Sequence, residues 1–224
     1  MINKENYQLV LDKVGAKEAN LVAVSKTKPK EAIQVLYDLG QRIFGENKVQ
    51  EMVDKQEALP KDIKWHLIGT LQRNKVKYII EFVSLIHSVD SFKLLKEINK
   101  QAKKVDRVVD CLLQFHIAAE QTKFGLSYEE GLALLESDSY KEMEHVRIVG
   151  VMGMATFTDD KEQVGREFET LKNYFKLFQQ DFFADNKSFK EVSMGMSGDY
   201  EIALDKGSTL VRVGSLLFGV RVYK

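Results

Sequence analysis

The chain has 224 residues with 33 basic and 33 acidic side chains, so its formal net charge is zero and no overall basic field exists to recruit nucleic acid or an anionic membrane. One cysteine excludes an internal disulfide and offers no zinc cluster. A hydrophobic fraction of 44%, two prolines and no Ser/Gly-rich stretch that could act as a linker favour a single packed domain over residues 1–224.

The opening MINKENYQLVLDKVG lacks the basic segment and apolar block of a signal peptide and has the spacing of an amphipathic helix. No run approaches the roughly 18 apolar residues of a membrane span. A cytoplasmic protein, without nucleic-acid or membrane partners, is expected. Residues 21–24 then form a short apolar strand run, stopped by Ser25, Lys26 and Thr27; Pro29 opens a helix that ends near Gly40. Further strand-like runs follow at 42–45, 64–69, 84–88, 107–117, 146–154, 190–196 and 208–214. Helical spacing separates them, as in Ile33, Leu36 and Tyr37; in Val49, Met52 and Val53; in Phe92, Leu95 and Ile98; and in Phe168, Leu171, Phe175 and Phe178. Ser91 is placed to cap one helix, and Ser127 with Glu130 forms a capping-box pattern for another. Alternating strands and helices predict an α/β fold: a (β/α)8 TIM-type barrel with an extra N-terminal helix. An open doubly wound sheet is the alternative, although its glycine fingerprint is missing after the first strand.

Polar residues collect where these strands end. They are Lys26; Glu46 and Asn47; His66 and Gly69; His87, Ser88 and Asp90; His116; Thr156; Ser197 and Gly198; Arg212, Gly214 and Ser215. In parallel α/β folds such ends build the ligand site, so these clusters are expected to converge on one mouth. Leu210, Arg212 and Gly214 share one strand face. A flanked arginine there must pair with a core acid or face a polar cavity. Ser197-Gly198, before a short helix over 199–206, offers a hydroxyl and N–H groups to an anion, or serves as an ordinary N-cap. Gly214-Ser215 offers a second set of donors. Together with Arg212 and Lys26 they suggest a phosphate-bearing ligand, with Asp199 adding an opposing charge. Lys26 is either a nucleophilic amine of that site or a snorkelling surface lysine. His66, His87 and His116 lack an acidic pair at ligand spacing, so no metal is expected. Trp65 is assigned to the outer face of its strand, Cys111 to the core, and Met152, Met154, Met194 and Met196 to core or pocket.

The segments AVSKTKP, FGENKVQE, WHLIGTLQRNK, IHSVD, GVMGMA, SMGMSGDYEIAL and VRVGSLLFG occur in that order between about residues 21 and 219. In order and spacing they resemble the YggS/PROSC family of pyridoxal phosphate-binding proteins, which is similar to the barrel domain of bacterial alanine racemase. The resemblance implies pyridoxal 5'-phosphate as cofactor. It implies a Schiff base at Lys26, a contact near the ring from Asn47, phosphate binding by Ser197 with the backbone at Gly214 and Ser215, and Arg212 near the pyridine nitrogen. One departure lies in QFHIAAEQTKFGL, which keeps Glu120, Lys123 and Gly125 of the family pattern but begins differently around His116. The implied function is vitamin B6 homeostasis, with the cofactor buffered or delivered to apo-enzymes and no robust catalysis. Racemisation needs a second acid/base group, which the racemase takes from a tyrosine of its extra domain. This chain ends at Lys224 without room for that domain, so a monomeric carrier is expected, and a weak amino-acid racemase is the alternative. An arginine at the ring nitrogen also disfavours the pyridinium that makes the ring a strong electron sink.

Overall fold

The computed structural model describes residues 2–120 and 124–219. Among them, eight parallel strands close into a barrel in chain order. They are β1 (Asn20–Val24), β2 (Ile43–Glu46), β3 (Lys64–Leu67), β4 (Leu85–Val89), β5 (Val109–Phe115), β6 (Val146–Gly153), β7 (Glu191–Met196) and β8 (Leu210–Val213). Closure comes from β8 pairing with β1, Asn20 opposite Leu210 and Ala23 opposite Val213. That pairing establishes the (β/α)8 barrel and rules out the open sheet. Each expected strand run is present, within a few residues of its predicted limits.

The extra helix α1 (Lys4–Gly15) starts at Asn3, whose side chain accepts the Asn6 N–H at 2.9 Å. It buries Tyr7, Val10 and Val14, and the Asn3 N–H donates to the Leu217 carbonyl at 2.9 Å. The remaining helices are α2 (Lys30–Asp38), α3 (Val49–Ala58), α4 (Phe92–Lys104), α5 (Tyr128–Glu136), α6 (Asp138–Lys141), α7 (Lys161–Phe182), α8 (Tyr200–Asp205) and α9 (Ser215–Phe218). Ser91 accepts the Leu94 N–H, and Ser127 and Glu130 form the full reciprocal capping box. The crossover between β3 and β4 is a 3-10 stretch, Arg73–Tyr78, in place of an α-helix. No helix among the described residues is long and apolar enough to cross a membrane.

Strand alternation sorts the apolar side chains into two layers. Between strands and helices lie Phe44, Trp65, Phe115, Phe168 and Phe178. Inside the barrel lie Val22, Leu85, Leu112, Val149, Met152 and Leu210. Trp65 is 1% exposed and packs against Phe44 with ring centroids 6.1 Å apart, on the outer layer as expected. Emptying a position such as Phe168 would cost roughly 3–5 kcal/mol. Gly45 faces inward: a Cβ there would lie 2.9 Å from Val22 and 3.1 Å from Ile68.

Candidate functional site

Lys26, Asn47, Ser197, Arg212, Gly214 and Ser215 all line one cavity of about 620 Å³ at the carboxyl ends of the strands. This is the size range of small-molecule sites. Val24, Ile68 and Met154 supply apolar lining, and Thr156 joins from the end of β6. Other strand-end residues go elsewhere. Alternation turns Glu46 away from the mouth, and it pairs with Lys55 of α3. His66 and His87 sit deeper, buried in the barrel. The half-buried His116 makes a 2.8 Å hydrogen bond with the Glu120 carbonyl. Lys123 lies outside the described residues.

The two predicted donor turns meet. Gly214 N–H donates to Ser197 Oγ at 3.1 Å. A Cβ at Gly214 would stand 3.2 Å from the Val24 carbonyl oxygen, so glycine permits this close approach. Asp199 turns its carboxylate to the same segment, accepting the Met196 N–H at 2.5 Å. Gly69 similarly makes room for Asn47, since a Cβ would fall 2.5 Å from the Asn47 carbonyl oxygen.

Arg212 is 4% exposed. Its guanidinium donates to Ser193 Oγ at 2.6 Å and to the Gly153 carbonyl at 3.1 Å, both neutral acceptors. Desolvation pulls Arg212 down to about 10, with Asp199 opposing, so it remains a cation at neutral pH. Ser193 continues the chain inward: its Oγ lies 2.9 Å from His87 Nδ1, and His87 Nε2 lies 2.9 Å from His66 Nδ1. Donor counting assigns the tautomers. Ser193 Oγ accepts from Arg212, and its own hydrogen is satisfied by donating to His87 Nδ1. His87 then carries its proton on Nε2 and donates to His66 Nδ1. Every donor in the row therefore points away from the guanidinium. Burial keeps both imidazoles neutral, His87 pushed well below its ordinary value and His66 to about 3.

Three parts of this arrangement were not singled out from the sequence. Ser193 falls inside the strand run at 190–196, where a serine between Val192 and Met194 marks an inward polar position. Glu167 of α7 accepts the Thr156 N–H at 2.6 Å and its hydroxyl at 2.7 Å; against desolvation, these bonds and those from Gln163 and the Ala119 N–H together hold its carboxyl below the ordinary range. Its signal was a glutamate beside the buried stripe of Val164, Phe168 and Leu171. The third is the buried ion cluster of Glu46, Lys55 and Glu51 behind Lys26. Desolvation lifts Glu46 to about 6 even with the Lys55 ammonium 2.7 Å away.

The family described as "Alanine racemase, N-terminal domain" matches residues 3–222. A pyridoxal phosphate homeostasis protein of Aquifex aeolicus is 39% identical over 222 residues, covering 98% of this chain and 95% of its own. The solved structure of PipY from Synechococcus elongatus with PLP bound is 33% identical, with a TM-score of 0.81 and coverage of 94% of this chain and 100% of that one. Alanine racemase from Bartonella henselae shares the fold at 17% identity and a TM-score of 0.71; the match covers 96% of this chain and 57% of the racemase. The chain therefore belongs to the family of pyridoxal phosphate homeostasis proteins, built on the alanine racemase N-terminal barrel.

Proposed function

We propose that this protein binds pyridoxal 5'-phosphate and serves vitamin B6 homeostasis, holding the cofactor through Lys26 and buffering it or passing it to apo-enzymes. One observation carries the reading: an amine, a guanidinium that donates to Ser193 Oγ and the Gly153 carbonyl, and a joined hydroxyl–amide pair line the same cavity. These residues fit the cofactor's chemistry. Ser197, whose hydroxyl accepts the Gly214 N–H and keeps its own hydrogen to donate, suits a phosphate together with the backbone at Gly214 and Ser215. Arg212 offers a donor to the pyridine nitrogen, and its charge keeps that nitrogen an unprotonated acceptor. Asn47, on the wall of the same cavity, would supply a contact near the ring. When bound, the cofactor supplies an aldehyde for a reversible carbon–nitrogen bond. Lys26 Nζ would supply the amine for that bond, with one water lost on binding and one taken up on release.

The reading makes the protein a carrier, acting as one barrel domain and a cytoplasmic monomer, and not a racemase. Racemisation at a substrate carbon needs a second acid/base group on the face opposite Lys26, and Arg212 disfavours the pyridinium state that would drain electrons from that carbon and so slows one-base exchange as well. The cofactor-loaded protein is mixed with an apo-enzyme, and separately with each alanine enantiomer in deuterium oxide. The expected result is recovery of the apo-enzyme's activity with the α-hydrogen of both enantiomers retained. Efficient Lys26-dependent exchange would overturn the carrier reading.

A further inference from the structure

Lys26 sits in a turn whose geometry its own sequence does not favour. The Lys28 N–H donates to the Ser25 carbonyl at 3.0 Å, closing a four-residue turn over 25–28. Its third residue, Thr27, has φ +63. Turns with a left-handed third residue take glycine or asparagine there, and a β-branched side chain is an outlier. Such strain persists where the surroundings over-determine it.

Those surroundings are visible on both flanks of Lys26. The Thr27 N–H donates to Glu51 Oε1 at 2.6 Å. Glu51 is held by Lys55, one helical turn further along α3, at 2.7 Å. The Lys55 ammonium also donates to Glu46 Oε1 at 2.7 Å and to the Ser25 carbonyl at 2.8 Å, which occupies its three hydrogens. The Ser25 hydroxyl donates to the same Glu46 oxygen at 2.5 Å. Lys28 Nζ ties the far side of the turn to the Phe218 and Gly219 carbonyls, each at 3.0 Å. Ser25 and Thr27 are thus anchored on either side of Lys26, while Lys26 itself reaches the cavity.

We propose that Glu51 is a positioning residue for Lys26. By accepting the Thr27 N–H it holds the turn in its left-handed form and aims the lysine into the mouth, with Lys55 and Glu46 as the buried frame that fixes Glu51. The proposal deepens the reading of Lys26 as the cofactor-holding amine, and rests on it. A turn built with glycine at 27 would need no such anchor. Held rigid, the amine meets an incoming aldehyde without first ordering its own backbone.

The test uses Glu51→Ala, Glu51→Gln, and Glu51→Ala combined with Thr27→Gly, each titrated with pyridoxal 5'-phosphate. Affinity, the rate of appearance of the covalent absorbance band, and thermal midpoint are read for each. Glu51→Ala should weaken binding and slow the band by about tenfold, the scale of releasing one left-handed threonine. Glu51→Gln keeps an acceptor and should stay close to the unmutated protein. Thr27→Gly should restore most of the loss in the Ala background, because glycine adopts the turn unaided. Glu51→Met keeps bulk without an acceptor and replaces the Ala variant if that one does not fold. A fall in thermal midpoint with unchanged affinity and rate would make Glu51 merely structural and overturn the proposal, as would a double variant no better than Glu51→Ala. Lys26→Ala is run in parallel. A covalent band that survives it overturns the reading of Lys26 and this proposal with it. A Lys26-dependent band that Glu51→Ala leaves unchanged overturns this proposal alone.

Discussion

Replacing Ser197 with alanine tests the anion-binding side of the mouth. The hydroxyl accepts the Gly214 N–H at 3.1 Å, joining the segments that follow β7 and β8. Both residues are half-buried, so water can reach the N–H left behind. Folding should therefore lose only about 0.5–1.5 kcal/mol, the net worth of an ordinary hydrogen bond. Toward a phosphate the same hydroxyl is worth more. A hydrogen bond to a charged oxygen contributes about 1.5–3 kcal/mol, which is roughly tenfold to hundredfold in affinity. Unphosphorylated pyridoxal offers that hydroxyl no charged partner. Ser197→Ala should lose this factor toward pyridoxal 5'-phosphate and little toward pyridoxal. Titrating both ligands into both proteins by absorbance gives the comparison, and thermal unfolding checks that the variant is folded. Equal losses for the two ligands would refute the reasoning. So would an unmutated protein that binds both forms equally.

Stability should fall as pH drops below 6.5. His66 takes a proton only near 3 when folded but near 6.5 when unfolded, and His87 shifts in the same direction, so unfolding takes up protons in that window, at about 1.4 kcal/mol per pH unit for each histidine. Glu46, lifted from 4.5 to about 6, opposes this between those values, because its folded form takes the proton first. Denaturant midpoints should still decline from pH 6 to 4.5, with about one histidine's slope; a rise would contradict the neutral pair. Ser193→Ala removes partners from both Arg212 and His87 and should cost about 2–4 kcal/mol in urea unfolding; a cost near zero would show that the row is not continuous. Gly69→Ala places a Cβ 2.5 Å from the Asn47 carbonyl oxygen, so it should displace that segment and weaken cofactor binding in titration, while binding at full strength would remove Asn47 from the site.

The parts of the fold that depend on near neighbours were legible in the sequence. The capping box at Ser127 and Glu130 is a three-residue pattern, and the apolar stripe of α7 repeats within one helix. The mouth residues were legible because parallel strands deliver their carboxyl ends to one side, whichever strand they belong to. Contacts set by barrel closure were harder to read. Leu210, Arg212 and Gly214 alternate inward, but Ser193 meets Arg212 only because β7 and β8 pair in the observed register. Glu46 was grouped with the mouth by its place at a strand end. Its neighbour Gly45 faces inward, so alternation sends Glu46 to α3. The sequence groups His66 and His87 with His116 only as strand-end histidines without a metal-ligand pattern; their direct pairing at 2.9 Å comes from the adjacency of β3 and β4. The left-handed Thr27 had no sequence signal, since its anchor, Glu51, lies on another element.

The central claim is that Lys26 holds the cofactor in this mouth. The protein is loaded with pyridoxal 5'-phosphate, reduced with borohydride to fix any carbon–nitrogen bond, digested, and mapped by mass spectrometry. The account predicts a stoichiometric phosphopyridoxyl mass on the peptide carrying Lys26, and its loss in Lys26→Ala. The same mass on a different lysine, or a yield undiminished in Lys26→Ala, would contradict it.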